Sequence, residues 1–172
     1  MNLEATIRRM TAFPGMLRAV VSQFSKEELR WRPSDGGWSV LEILGHLVSE
    51  EQVDFRQRLR LTLENNGAEW PGIDPEGHVR EAAYNHADPM ELLDHFSELR
   101  ENSVRWMTGL RDSDWSLKYV HPSIGVLRAG DLLASWSAHD ALHLRQLSKR
   151  MYQLTVHQNS DFDVRYAGEW RA

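Results

Sequence analysis

The chain has 172 residues, and 25 acidic against 20 basic side chains give a formal charge of −5, which argues against nucleic-acid binding. Apolar residues make up 41% and charged residues 26%, as in globular proteins, and the chain is long enough for one domain, residues 1–172, with a buried core. Cysteine is absent, no apolar run is long enough to span a membrane and the N-terminal residues lack a signal-peptide pattern, so we expect a cytoplasmic protein without disulfides.

Two helices are predicted in the first part of the chain. Apolar residues recur at helical spacing over residues 2–24, and Pro14-Gly15 predicts a kink or break there. The second helix begins at Ser39, because Ser39 and Glu42 have the Ser-x-x-Glu spacing of a capping box. It is expected to end at Asn65-Asn66-Gly67.

Two further helices are predicted in the second part of the chain. The third begins at Asp88, with Pro89 at its first helical position, and its apolar stripe ends at Leu110. The fourth extends from near Ala129 to about Gln153. Four long helices around one core predict an all-α, up-down-type four-helix bundle.

The predicted connections are unusually long. Residues 67–87 and 111–128 both exceed the ordinary loop length, which favours a lid or a site-lining role, and short strands within them remain possible. The tail, residues 155–172, carries Trp and Tyr and is expected to pack against the bundle.

Histidines on the inward helix faces are the main functional signal. His139 and His143 are one turn apart, and at 100° per residue they lie about 60° and 20° from Trp136, within the apolar stripe. A pair at this spacing can reach one metal ion. His46 lies on the inward face of the second helix. Three imidazoles would leave an open coordination position, as in catalytic metal sites.

A simpler explanation exists for each of these residues. An inward histidine is usually a hydrogen-bonded core residue, and His-x-x-x-His arises by chance. Glu50, one turn from His46, is the candidate catalytic carboxylate, as a proton shuttle or as an acceptor from a ligand imidazole. The helix pattern favours the alternative for Glu50, a solvated carboxylate beside Glu51. Asp140 is expected to be a surface or packing residue. Other side chains are expected to be surface or core residues: His78, His86, His95, His121, His157, Trp38 and Trp136.

Two segments resemble a known family. Residues 38–47, WSVLEILGHL, resemble the start of the second helix in the DinB/YfiT-like family, and residues 130–147, GDLLASWSAHDALHLRQL, resemble its fourth helix. The resemblance implies a four-helix bundle that holds a divalent metal, often Zn or Ni, with three histidines. Matched position by position, those ligands are His46, His139 and His143. Imidazole alone does not select the metal.

The resemblance also implies two chemistries for a small-molecule substrate. Relatives include transferases that move a low-molecular-weight thiol onto an electrophile, and metal-dependent hydrolases that use activated water. Because the chain has no cysteine, any thiolate must come from a co-substrate. The alternatives are a non-catalytic metal- or small-molecule-binding module of a stress response, and a purely structural bundle. Relatives are often dimers, so a homodimer is a further hypothesis.

Overall fold

The computed structural model describes residues 1–65 and 67–170, and helices account for most of them. The α-helices are α1 (Leu3–Val21), α2 (Val40–Val53), α3 (Phe55–Glu64), α4 (Pro75–Ala82), α5 (Pro89–Thr108) and α6 (Ala129–Gln158). Short 3-10 turns occur at Glu28–Arg30, Tyr84–His86 and Arg165–Ala167. Strands β1 (Lys118–His121) and β2 (Gly125–Arg128) form an antiparallel hairpin in which Val120 pairs with Val126.

The predicted four-helix bundle is confirmed, with α1, the α2–α3 pair, α5 and α6 at its four positions. Helix α5 lies between α1 and α2, and α6 contacts α1, α2 and α3. Helices α1 and α2 therefore lie diagonally opposite each other in the bundle, and so do α5 and α6. A diagonal step has to cross the end of the bundle, and residues 22–39 and 109–128 make these two steps. Residues 67–87 instead join neighbouring positions of the bundle. Among the described helices, none is long and apolar enough to cross a membrane.

Two predicted helix interruptions differ from the structure. Pro14 does not break α1, which is continuous. Proline has no N–H for the carbonyl of Met10, one turn earlier, and that carbonyl instead accepts from Arg100 Nη1 at 3.4 Å. The second predicted helix is wrong as a single element, because Asp54 leaves helical geometry at φ −113° and ψ −96° and separates α2 from α3. Its expected end at Asn65 is correct, although Asn66 lies outside the described residues.

The long connections contain structure of their own. Residues 67–87 include α4 and a 3-10 turn, and residues 111–128 include the β-hairpin. Helix α6 continues five residues beyond its predicted end, to Gln158. The expectation that the tail packs holds only for Trp170, whose ring lies 5.8 Å from that of Tyr152, because Phe162 and Tyr166 are exposed.

Candidate metal centre

Three histidines from two helices meet inside the bundle. His46 on α2 and His139 and His143 on α6 each offer a nitrogen, and these nitrogens lie within 4.8 Å of one another. His46 and His143 are 5% and 8% exposed, whereas His139 is half-buried and borders solvent. The structure therefore brings together all three histidines that the sequence singled out.

The two imidazoles of α6 converge at close range. The Nε2 atoms of His139 and His143 lie 3.0 Å apart. Gln146 Oε1, 2.8 Å from His143 Nδ1, is an acceptor, so Nδ1 donates to it and the Nε2 lone pair of His143 faces the cluster. Three nitrogens that converge in this way can form at most one hydrogen bond among themselves. One shared divalent ion would accept a lone pair from each of them, so the arrangement fits a metal ion.

The surroundings keep the histidines neutral, which is the ligating form. Burial, with the proximity of His143 and His78, lowers the pKa of His46 to about 3. Burial and the neighbouring histidines lower the pKa of His139 to about 3 as well. Burial also lowers the pKa of His143, against the opposing hydrogen bond to Gln146. Protons therefore compete little with a metal at neutral pH.

Aromatic rings enclose the cluster on two sides. Trp38 lies 4.9 Å from His46 between ring centroids, and Phe55 lies 5.0 Å from His139. Phe55 also stacks on Trp136 at 5.9 Å, with the two planes 6° apart. The interruption at Asp54 gives Phe55 this place at the start of α3. The expectation of core packing is confirmed for Trp136, which is buried. Trp38 and Trp136 also both lie close to the histidines.

Glu50 lies beside His46 and is not a solvated carboxylate. It is 7% exposed, and its Oε1 atom is 3.8 Å from His46 Nδ1. Burial and a hydrogen bond with Asp54 raise the pKa of Glu50 to about 8. Asp54 in turn forms an ion pair with Arg58, with Oδ1 and Nε 2.7 Å apart. The solvated alternative for Glu50 is therefore wrong, and its catalytic role stays a prediction.

Comparison with known proteins agrees with this geometry. The sequence profile of the DinB superfamily matches residues 9–147. The chain belongs to the DinB superfamily. A Bacillus pumilus protein named "Putative metal-dependent hydrolase" is 27% identical over 155 residues, covering 87% of this chain and 86% of its own. Bacillus subtilis YfiT, with the same kind of name, is 27% identical over 156 residues, or 84% and 83% of the two chains.

The fold has a solved counterpart. The four-helix bundle structure of Bacillus subtilis YfiT superposes on this DinB-superfamily chain with a TM-score of 0.72 and 22% sequence identity, covering 87% of each chain. That structure is described as a probable metal-dependent hydrolase. At this identity the superposition supports the fold.

A buried ionic cluster, which sequence reasoning missed, lies next to the histidines. Arg100 on α5 is 1% exposed and donates hydrogen bonds to Glu51 on α2 and Asp140 on α6, both of them buried. Asp140 was predicted to be a surface or packing residue. The surface alternative is wrong, because this carboxylate is ion-paired in the core. Burial raises the pKa of Asp140, and its hydrogen bonds with Arg100 oppose that change.

Two other histidines, His121 and His78, have partners outside the cluster. His121 Nδ1 accepts from the backbone N–H groups of Ser123 and Ile124, both at 3.2 Å, and so stabilises the hairpin turn. His78 Nε2 lies 2.7 Å from the Tyr84 hydroxyl. The Tyr84 ring packs against α2 at Gly45, the residue before His46. Segment 67–87 therefore covers the α2 side of the site.

The two long connections also meet each other. Residues 69–73 and the hairpin residues 119 and 121–124 line a cleft of about 490 Å³ together with Arg58. Trp70 and Tyr119 stack across it, 4.2 Å apart at an angle of 11°. The described lining of this cleft does not include the three histidines.

Proposed function

We propose that this protein is a metal-dependent enzyme that hydrolyses a small-molecule substrate at the site formed by His46, His139 and His143. The single observation that carries the proposal is the convergence of three neutral imidazole nitrogens within 4.8 Å. The names of the relatives support the same class of activity. A divalent metal, for which zinc and nickel are our candidates among the metals that imidazole ligands suit, would supply a Lewis acid that activates a nucleophile near neutral pH.

The protein's own residues divide the remaining work. The three imidazoles hold the ion and leave a coordination position for the substrate or its nucleophile. Gln146 fixes the ring of His143 through its Nδ1–H. Trp38 and Phe55 wall the site and limit the access of bulk water. The half-exposed edge at His139 is the side from which a substrate can approach.

Glu50 favours hydrolysis over thiol transfer. A water nucleophile has to lose a proton, and a general base works best when its pKa lies near the working pH. Glu50 lies beside His46, and its ionised form can accept that proton. Because the pKa of Glu50 is raised to about 8, this form is the minor one at neutral pH and grows as the pH rises towards 8. A low-molecular-weight thiol loses its proton more readily than water and needs this base less. Transfer of such a thiol to an electrophile is therefore the second candidate.

The first experiment measures metal content by elemental mass spectrometry in the wild-type protein and in His143→Ala, both purified without chelator and without a histidine tag. We expect near-stoichiometric metal in the wild type and its loss in the variant. A wild-type protein that binds no metal even after incubation with zinc and nickel would overturn the proposal.

The second experiment separates the activities. The loaded protein is screened against esters and amides, and against pairs of a thiol and an electrophile. Glu50→Gln should retain the metal and lose most hydrolytic turnover, whereas thiol transfer should change little. Metal that raises thermal stability without any turnover in either screen would instead favour the non-catalytic binding module.

A further inference from the structure

Arg100 occupies the centre of the bundle and uses its whole hydrogen-bonding capacity there. Its Nε and Nη2 atoms donate to the two carboxylate oxygens of Glu51 at 3.0 and 2.9 Å. Its Nη1 and Nη2 atoms donate to the two oxygens of Asp140 at 2.6 and 2.8 Å. The fifth N–H, on Nη1, faces the Met10 carbonyl at 3.4 Å. A guanidinium has five N–H donors, so every one of them has a partner.

These partners lie on all four positions of the bundle. Arg100 belongs to α5, Met10 to α1, Glu51 to α2 and Asp140 to α6. The contact with α1 depends on Pro14, which leaves the Met10 carbonyl without an intrahelical partner. Rings of Phe13, Phe96 and Trp136 surround the guanidinium at 4.9–5.8 Å. The interaction therefore joins four helices at one buried point.

The carboxylates of this cluster are adjacent to the metal centre along the chain. Asp140 directly follows His139 on α6, and Glu51 follows Glu50 on α2, five residues after His46. Trp136 Nε1 donates to Glu51 Oε2 at 3.2 Å, which links α6 to α2 a second time. Trp136 supports Phe55, and Phe55 contacts His139.

We propose that Arg100 is the positioning residue of the metal centre: its paired hydrogen bonds to Glu51 and Asp140 hold α2 and α6 at the separation that brings His46 within ligand distance of His139 and His143. The inference rests on the metal binding proposed above.

The test removes the cluster while keeping the core apolar and filled. In the triple variant Glu51→Met, Arg100→Met and Asp140→Leu, no buried charge is left unpaired, and such replacements often preserve the stability of a fold. Zinc affinity is measured by competition with a chromophoric chelator, with Zn²⁺ as the only added ligand. X-ray absorption of the zinc-loaded protein counts the imidazole ligands. Leu154→Ala is the control, a destabilising core truncation three turns beyond His143 on the same helix.

We expect the triple variant to fold, to bind zinc about 10- to 100-fold more weakly, and to show fewer than three imidazole ligands. The control should lose stability and keep wild-type zinc affinity with three imidazoles. A folded triple variant with unchanged affinity and three imidazoles would overturn the positioning role and leave the proposed function standing.

A second variant decides the question if the triple variant does not fold. Arg100→Lys keeps the positive charge but lacks the planar fork that bonds two carboxylates at once. We expect weaker zinc binding in this variant, and affinity equal to the wild type would contradict the proposal. A wild-type protein that binds no zinc would overturn both this inference and the function on which it rests.

Discussion

Two glycines inside helices offer a matched test of the packing around the metal centre. Gly15 lies within α1, and an added Cβ there would have open space around it. Gly45 lies within α2, next to His46, and an added Cβ would come within 3.0 Å of three carbons of the Tyr84 ring. The two alanine substitutions bring the same gain in helix propensity, so any difference between them reports the contact with Tyr84.

The expected effects have opposite signs. Gly15→Ala should stabilise the protein by about 0.5–1 kcal/mol, since only the helix propensity changes. In Gly45→Ala the same gain is outweighed, because the Tyr84 ring has to retreat by about 1.5 Å to restore an ordinary carbon–carbon contact. Overpacking of this kind costs about 1–3 kcal/mol. We therefore expect Gly45→Ala to be less stable than Gly15→Ala by about 1–3 kcal/mol.

Urea unfolding of the metal-free proteins, followed by circular dichroism, measures both changes. Tyr84→Ala in each background completes a double-mutant cycle. The penalty of Gly45→Ala should largely disappear once the ring is removed, with a coupling free energy above about 1 kcal/mol. If Gly45→Ala is as stable as Gly15→Ala, segment 67–87 does not pack on α2 as described, and the closure of the metal site on that side is refuted.

Two further predictions concern pH and helix capping. The pKa values of His46 and His139 are lowered from 6.5 to about 3 and that of His143 is lowered too, so the unfolded chain binds more protons than the folded one. The metal-free protein should therefore lose stability as the pH falls below about 6.5, by up to about 1.4 kcal/mol per pH unit for each histidine that stays neutral in the folded state. Urea unfolding at several pH values should show a flatter profile once the three histidines are replaced by leucine, and an unchanged slope would contradict their neutral burial. Ser39→Ala should cost about 1–2 kcal/mol, because Ser39 accepts from the Glu42 N–H and also bonds Asn85 across 46 residues. Thermal unfolding checks this loss, and Ser34→Ala, at an exposed position in the preceding turn, should be neutral.

Features that depend only on neighbouring residues along the chain were predicted correctly from the sequence. The capping box at Ser39 is present, and Asp88 accepts from two N–H groups at the start of α5. The inward histidines could be found because the helical period alone places them in an apolar stripe. Sequence periodicity is therefore enough to single out the three candidate ligands, although their ligand role stays a prediction.

Long-range pairing could not be predicted in the same way. Arg100 is 49 residues from Glu51 and 40 from Asp140, and charged side chains are solvated by default. Glu50 appeared solvated for the same reason. The interruption at Asp54 has no glycine or proline to mark it. The hairpin strands have four residues each, too short for alternation to stand out. Each of these features depends on tertiary contacts that one segment does not encode.

The central guanidinium also restricts how this sequence can drift. Losing one partner of a buried ion pair costs about 3–5 kcal/mol, a large share of the 5–15 kcal/mol that keeps a domain folded. Exchanging Arg100, Glu51 or Asp140 alone for an uncharged residue therefore removes a large share of the stability of the domain. Pro14 is part of the same constraint, since restoring an N–H there would compete for the Met10 carbonyl. Relatives that lack the arginine should have replaced both acidic residues as well, so we expect these three positions to change together in evolution.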